Sequence, residues 1–155
     1  MAFFTGNHIS LSKFLLPWSK YLGNYLEYIG YNLYKIWRGL FMGYLTTHVL
    51  DTANGCPASG MRVDLRRSDG EIIGSFTTNE DGRVDGPLLE GEAFVADSYE
   101  LTFCVGAYFK SRGSDSPNPM FLDVVPVWFS VSDPDEHYHV PLLVSPYSYS
   151  TYRGS

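Results

Sequence analysis

Histidines are the side chains of this chain best suited to acid–base chemistry, and three of the four lie beyond residue 41. His48 follows two threonines, and His137 and His139 form a His-Tyr-His motif. An imidazole titrates near neutral pH, so it can both accept and donate a proton there. Paired histidines near an arginine are therefore candidates for hydrolytic chemistry. The spacing fits ordinary hydrogen-bonded strand histidines equally well, and both interpretations of His48 stay open.

The His-Tyr-His motif also has the spacing of a metal-ligand pair. No third Asp, Glu, His or Cys stands at a typical distance from it, which disfavours a metal site. Cys56 and Cys104 lie far apart and match neither a disulfide framework nor a zinc site. The sequence contains no phosphate-binding glycine loop, nucleophile elbow or Ser-His-Asp order. A reducing compartment fits this cysteine usage best.

Two arginines stand where they could hold a ligand. Arg83 directly follows the turn sequence Asn-Glu-Asp-Gly, and Arg153 lies close to the carboxyl end. A guanidinium can bind a planar, carbonyl-rich ligand through two parallel hydrogen bonds, although most arginines are simply solvated charges. The terminal segment 147–155 has a strand-like texture, which favours a pinned terminus over a frayed one.

Short apolar runs separated by Gly, Pro, Asn and Asp predict an all-β domain that would position these residues. Residues 61–66 alternate apolar and polar, the period of a strand with one wet face. The same reasoning places His48 on one strand face with Thr46, and His137 with His139 on another. The predicted strands cover 44–51, 61–66, 72–78, 99–105, 121–131 with an edge or bulge at Pro126, 138–144 and 147–153, with a short helix over 106–112. This spacing predicts a two-sheet sandwich.

Residues 1–41 differ from the rest in charge and periodicity. They carry four basic side chains against one acidic, so the remainder holds a net charge of −9 within the overall −6. Apolar residues recurring every three or four positions predict a helix over 17–39. The segment lacks the apolar run of a membrane span and the cleavage site of a signal peptide. An interfacial helix on anionic lipid, a loose tail and an extension upstream of a start at Met42 all stay open.

The overall composition narrows the function classes. A chain of 155 residues with 45% hydrophobic and 18% charged residues has the makeup of one main folded domain, which excludes a disordered protein. The net charge of −6 argues against nucleic acid as a partner, because phosphate binding needs clustered basic residues.

Four separated motifs together resemble the transthyretin-like family of 5-hydroxyisourate hydrolases, enzymes of urate breakdown. They are LTTHVLD at 45–51, NEDGR at 79–83, HYHVPLL at 137–143 and YRGS at 152–155. The resemblance covers residues 42–155, and the terminal motif is its most specific part. It implies an all-β, transthyretin-like two-sheet β-sandwich with one short helix over 42–155, preceded by the aromatic, basic extension 1–41.

The resemblance assigns roles to residues in these motifs: catalytic His48, Arg83, His139 and Ser155, and substrate-binding His48, Arg83, Tyr152 and Arg153. His137 receives none. The implied reaction adds water across the N1–C6 bond of 5-hydroxyisourate and gives 2-oxo-4-hydroxy-4-carboxy-5-ureidoimidazoline; which histidine is the base stays open. The resemblance also implies a homotetramer built as a dimer of dimers and no metal or organic cofactor. The cysteine usage predicts a cytoplasmic enzyme, with weak membrane contact through 1–41 left open.

The alternative is a non-catalytic carrier of the transthyretin type, which shares the fold. In the carrier the first-strand histidine is absent, the later one is replaced, and apolar residues follow the last strand. Here His48, His139 and the terminal YRGS are all present. A hormone channel needs an apolar lining, whereas these residues are polar, so the hydrolase is favoured.

Overall fold

The computed structural model describes residues 28–30, 32–33, 42–113 and 119–154. The chain divides into two units, Met1–Phe41 and Met42–Ser155. In the first unit, residues 28–30 and 32–33 are helical, and the rest of the predicted helix over 17–39 lies outside the described residues. Within the described ranges, none of the helices has the length and apolar character needed to cross a membrane.

The described part of the second unit is built from short strands and one α-helix. In chain order the elements are β1 (Tyr44–Thr46), β2 (Val49–Asp51), β3 (Cys56–Pro57), β4 (Arg62–Arg67), β5 (Ile72–Thr77), β6 (Leu89–Glu90), a 3-10 turn (Gly91–Ala93), β7 (Asp97–Phe103), α1 (Val105–Ser111), β8 (Val125–Val131), β9 (Tyr138–His139), β10 (Leu142–Val144) and β11 (Tyr149–Thr151). The predicted all-β class with one short helix is confirmed.

The strands form two layers. One is an antiparallel sheet in the order β5-β4-β7-β8. The other consists of two small sheets, β6-β1-β9 and β11-β10-β2-β3. These two are continuous along the chain, because β1 pairs in parallel with β9 and β2 pairs in parallel with β10 in the same register. The molecule is therefore a two-layer sandwich whose second layer is interrupted.

The interruption splits two strands that the sequence predicted as continuous, 44–51 and 138–144. The two strands still exchange backbone hydrogen bonds on both sides of it, from the N–H of Val140 to the Thr46 carbonyl oxygen at 3.0 Å and from the N–H of Leu142 to the His48 carbonyl oxygen at 2.9 Å. Between them, the hydroxyl of Thr47 donates to the carbonyl oxygen of Val140 at 2.7 Å. The alternation predicted for the first strand persists across the break: Thr47 and Val49 are buried, while Thr46 and His48 face the other way and are partly exposed.

The core lies between the layers and receives alternate residues from both. Leu65 of β4 and Leu101 of β7 are fully buried, as are Leu45 and Leu142 of the opposite layer. Burying each such side chain contributes about 1.5–3 kcal/mol. The predicted strand 99–105 begins two residues earlier and ends at Phe103, since Val105 starts α1 instead.

Two of the predicted strands form edges of the sandwich. The strand predicted from residue 121 begins at Val125, and within the described residues it pairs only with β7. Pro126 therefore lies in an edge strand, as its missing N–H requires. On the other layer, β10 and β11 form the predicted antiparallel hairpin, with Val144 opposite Tyr149.

Candidate active site

His48 and Arg83, remote in sequence, lie opposite each other in an isolated antiparallel bridge. The adjoining backbone secures this approach, because the N–H of Val49 donates to the carbonyl oxygen of Gly82 at 2.8 Å. His48 sits in the interruption between β1 and β2, where its side chain is partly exposed, and Arg83 is exposed. The sandwich thus brings together the first two predicted site residues.

In the turn 79–83, the side chain of Asn79 fixes the backbone of Arg83. The side-chain Oδ1 of Asn79 accepts the N–H groups of Asp81 and Arg83 at 3.0 and 3.1 Å. Gly82 completes the turn with a φ of +71°, a left-handed conformation that favours glycine. This confirms the turn predicted from the Asn-Glu-Asp-Gly sequence.

Gly82→Ala should destabilise the domain more than Gly70→Ala. Both glycines have positive φ, +71° and +87°, which costs about 1–2 kcal/mol for a residue with a side chain. Only at Gly82 would the added Cβ meet backbone, 2.3 Å from the carbonyl oxygen of Val49, whereas nothing lies within 4 Å at Gly70. Urea unfolding should reveal a further loss of about 1–3 kcal/mol for Gly82→Ala. Equal losses would mean that the contact with Val49 relaxes freely.

His139 is held from two sides in β9. It pairs with Thr46 of β1 on one side and forms an isolated bridge with Gly154 on the other. The N–H of Gly154 donates to the His139 carbonyl oxygen at 2.8 Å. A Cβ at Gly154 would lie 2.8 Å from the imidazole Cδ2, so only a glycine fits against the ring without displacement. The chain is therefore pinned as far as Gly154.

The electrostatics place both imidazoles in one cluster with Arg83. Burial lowers the pKa of His48, and the positive charge of Arg83 lowers it further. Burial is also the main cause that lowers the pKa of His139, followed by Arg83, His137 and His48. Each pKa therefore falls below the usual value of about 6.5, and both rings are mainly neutral at pH 7. A neutral imidazole can accept a proton.

His48 also interacts with Asp81. The backbone and the carboxylate of Asp81 act against the lowering of the His48 pKa, but burial and Arg83 outweigh them. A neutral imidazole carries one N–H and one lone-pair nitrogen. This leaves His48 prepared to take up a proton.

Thr46 is a further residue of the site, which the sequence did not identify. Its Oγ1 lies 2.8 Å from Nδ1 of His139 and 2.9 Å from Nε2 of His137. The ring of His137 in turn stacks on Tyr44 with 4.0 Å between the centroids. The sequence did place Thr46 on the face of His48, but its pairing with His139 depends on the parallel register of β1 and β9.

Tyr152 and Arg153 lie in a different part of the site. They line an open cavity of about 630 Å³ together with Glu136, His137 and Gly154. The Arg153 guanidinium contacts Glu136 at 2.5 Å and lies 4.3 Å above the Tyr138 ring. Ser155, the remaining predicted site residue, lies outside the described residues.

The structure also shows how the possible metal ligands and the two cysteines are arranged among the described residues. Across 42–113 and 119–154, with 28–30 and 32–33, no three or more His, Cys, Asp and Glu side chains are grouped so as to hold a metal ion. Cys56 and Cys104 are free thiols. The two imidazoles, kept neutral beside a guanidinium, can accept and donate a proton.

Comparison with known proteins places this geometry in a family. A model of the HIUase/Transthyretin family matches residues 45–154. The 5-hydroxyisourate hydrolase 2 of Rhizobium meliloti (strain 1021) is 58% identical over 116 residues, which are 73% of this chain and 97% of that protein. The crystal structure of an (S)-allantoin synthase superposes with a TM-score of 0.71 at 52% identity, covering 74% of this chain but only 44% of that one.

The carrier alternative shares the fold at lower identity. Sea bream transthyretin in complex with thyroxine superposes with a TM-score of 0.63 at 30% identity, over 71% of this chain and 93% of that one. The sandwich alone is thus compatible with either function, whereas the 58% identity lies with a hydrolase. With its two-layer sandwich and a family match over 45–154, the chain belongs to the HIUase/Transthyretin family.

Proposed function

We propose that this protein is a hydrolase that opens 5-hydroxyisourate to 2-oxo-4-hydroxy-4-carboxy-5-ureidoimidazoline in urate breakdown. The observation that carries the proposal is the convergence of His48, Arg83 and His139 in a chain 58% identical to a 5-hydroxyisourate hydrolase.

In the proposed mechanism, His48 is the general base. Its lone-pair nitrogen takes a proton from water as the water oxygen bonds to C6 of the substrate. The N1–C6 bond then breaks, and the His48 imidazolium returns the proton to N1, as one histidine serves in turn as base and acid in other hydrolases. Neither a metal nor an external reagent enters this balance. Burial and the positive charge of Arg83 support His48 in this role, since they lower its pKa and keep the ring neutral.

Arg83 and His139 bind and orient the reacting groups while negative charge builds on the substrate. The Arg83 guanidinium holds substrate oxygen atoms through charge-assisted bonds and stabilises the developing oxyanion. His139 hydrogen-bonds the substrate or the attacking water. Tyr152, Arg153 and Ser155 close the pocket and help to orient the substrate; the position of Tyr152 and Arg153 along the cavity beside His137 supports this assignment.

Hydrolysis should appear as an accelerated absorbance decay of freshly generated 5-hydroxyisourate when the protein is added. The increase in rate should be proportional to protein concentration, because the spontaneous reaction supplies only a constant background. Heat-denatured protein at the same concentration is the control. A carrier would instead bind an apolar aromatic ligand saturably and leave the decay unchanged, which would overturn the proposal.

We also propose a homotetramer built as a dimer of dimers. Two features of the described residues support it: β8 and β11 each leave one edge unpaired, and Trp128 on β8 is 57% exposed. An unpaired strand edge is a template for pairing with another chain, and an exposed aromatic beside it can join such a contact. Tyr152 and Arg153 would then lie close to a facing subunit. Analytical ultracentrifugation tests this, and a monomeric mass would exclude it.

We further propose a domain boundary at residue 41, a cellular location and a lipid contact. The division at Phe41 and the family match from residue 45 support a hydrolase domain over 42–155 and a separate extension. The free thiols of Cys56 and Cys104 support a reducing, cytoplasmic location.

The basic extension suits weak contact with anionic lipid. Equal liposome co-sedimentation of the full chain and a Met42 start would exclude that contact.

A further inference from the structure

The hydroxyl of Thr46 lies between two imidazoles, His137 and His139, and none of the assignments made from the sequence motifs uses it. The two oxygen–nitrogen distances, 2.9 and 2.8 Å, are both those of good hydrogen bonds. The pairing of Thr46 with His139 in the β1–β9 ladder fixes this placement on the backbone. Stacking on Tyr44 holds the His137 ring in position.

The number of protons shared by the Thr46 hydroxyl and the two facing ring nitrogens limits their possible arrangements. A threonine hydroxyl carries one proton, so it can donate to only one of the two facing nitrogens. If the hydroxyl donates to one facing nitrogen, the other must itself carry a proton and donate to Oγ1. One arrangement has a proton on Nε2 of His137 and none on Nδ1 of His139, and the second arrangement is the reverse. With protons on both facing nitrogens, Oγ1 would accept twice, and the hydroxyl proton would have no acceptor among the described residues. The two rings are therefore complementary.

We propose that Thr46 is a positioning residue that locks neutral His139 into a single tautomer, complementary to that of His137. The consequence concerns Nε2 of His139, the ring nitrogen that Thr46 does not contact. A proton on Nδ1 leaves Nε2 as an acceptor, and an unprotonated Nδ1 makes Nε2 a donor. Thr46 thus ties what His139 offers to the substrate to the protonation of His137.

The lock acts on the neutral ring, and the surroundings keep the ring neutral. Burial lowers the pKa of His139, and three groups that face it lower it further: Arg83 from its turn, His48 from the β1–β2 junction and His137 from the segment just before β9. In water a neutral imidazole exchanges freely between its tautomers. A fixed donor or acceptor at Nε2 spares the reaction this rearrangement, which is the value of preorganisation.

The test is the tautomeric state of His139 in the ligand-free protein at pH 7.5. Long-range ¹H–¹⁵N NMR spectra separate protonated from unprotonated ring nitrogens, and single His→Gln variants assign the signals. We expect one tautomer for His139, with exactly one of the two facing nitrogens protonated. Protons on both facing nitrogens, or a mixture of tautomers in the wild-type chain, would overturn the proposal without any variant.

Thr46→Val and Thr46→Ser form the matched pair for the same measurement. Valine keeps the shape but removes the hydroxyl, so His139 should become a mixture of tautomers; serine restores the hydroxyl and should restore the single form. The catalytic consequence rests on the proposed function: kcat should fall about tenfold to a hundredfold for valine and stay near wild type for serine. Unchanged tautomers in Thr46→Val would refute the lock even if the protein hydrolysed nothing, so the two proposals fail separately.

Discussion

Replacing His48 by asparagine should lower kcat for 5-hydroxyisourate hydrolysis by about a hundredfold to ten-thousandfold, the usual contribution of a positioned general base. Asparagine retains an N–H donor on a polar side chain, but it cannot take up a proton. The loss should therefore fall on kcat more than on KM. Initial rates of absorbance decay over a range of substrate concentrations measure both constants.

The matched control for this variant is His8→Asn. His8 lies outside the residues 45–154 that the family model matches, so its loss should leave the rate unchanged. Urea unfolding separates chemistry from stability: His48→Asn should keep its midpoint close to wild type, because His48 is partly exposed. A variant that stays folded and retains wild-type kcat would remove His48 from the mechanism.

Local sequence patterns were sufficient for the turn and the strand faces. The Asn-Glu-Asp-Gly turn was predictable because Asn79 satisfies it from within, through bonds to residues two and four positions later. The alternation in 44–51 placed Thr46 and His48 on one face, since the side chains of a strand alternate whatever the strand pairs with. Both features depend on neighbours in the chain, and both are confirmed.

Pairing between distant segments was not predictable in the same way. The parallel register that sets Thr46 beside His139 joins strands about 90 residues apart, and no local period encodes it. The strands β3 (Cys56–Pro57) and β6 (Leu89–Glu90) are two residues long, too short for any alternation to be visible. Thr46 therefore became a candidate only when the fold was known.

The two arginines of the motifs occupy different settings, and this separates their proposed roles. Arg83 acts electrostatically on both imidazoles. Arg153 is engaged by Glu136 and lies over the ring of Tyr138, where one face of its guanidinium is already covered. Arg83 is thus the guanidinium suited to the developing charge, and Arg153 suits the wall of the cavity. The largest effect of an arginine replacement is accordingly expected at Arg83.

Arg83→Gln should lower kcat/KM by about a hundredfold to a thousandfold, as the loss of an oxyanion donor does in other enzymes. It should also move the acidic limb of the pH–rate profile to higher pH. The Arg83 charge lowers the pKa of both His48 and His139, so removing it raises both. The active form has neutral imidazoles, and activity is lost as pH falls through their pKa. A higher pKa therefore means that the loss begins at higher pH.

Arg83→Lys separates the two effects, because lysine keeps the positive charge but not the planar fork of donors. The lysine variant should lose much of its rate while its acidic limb stays close to wild type. Arg66→Gln is the control for charge removal, since Arg66 contacts the Gly70 carbonyl oxygen at 3.3 Å in the β4–β5 turn. If the acidic limb shifted equally in Arg66→Gln, the shift would reflect the net charge of the protein and not the position of Arg83. A limb unmoved in Arg83→Gln would mean that Arg83 does not act on the imidazole that limits the reaction.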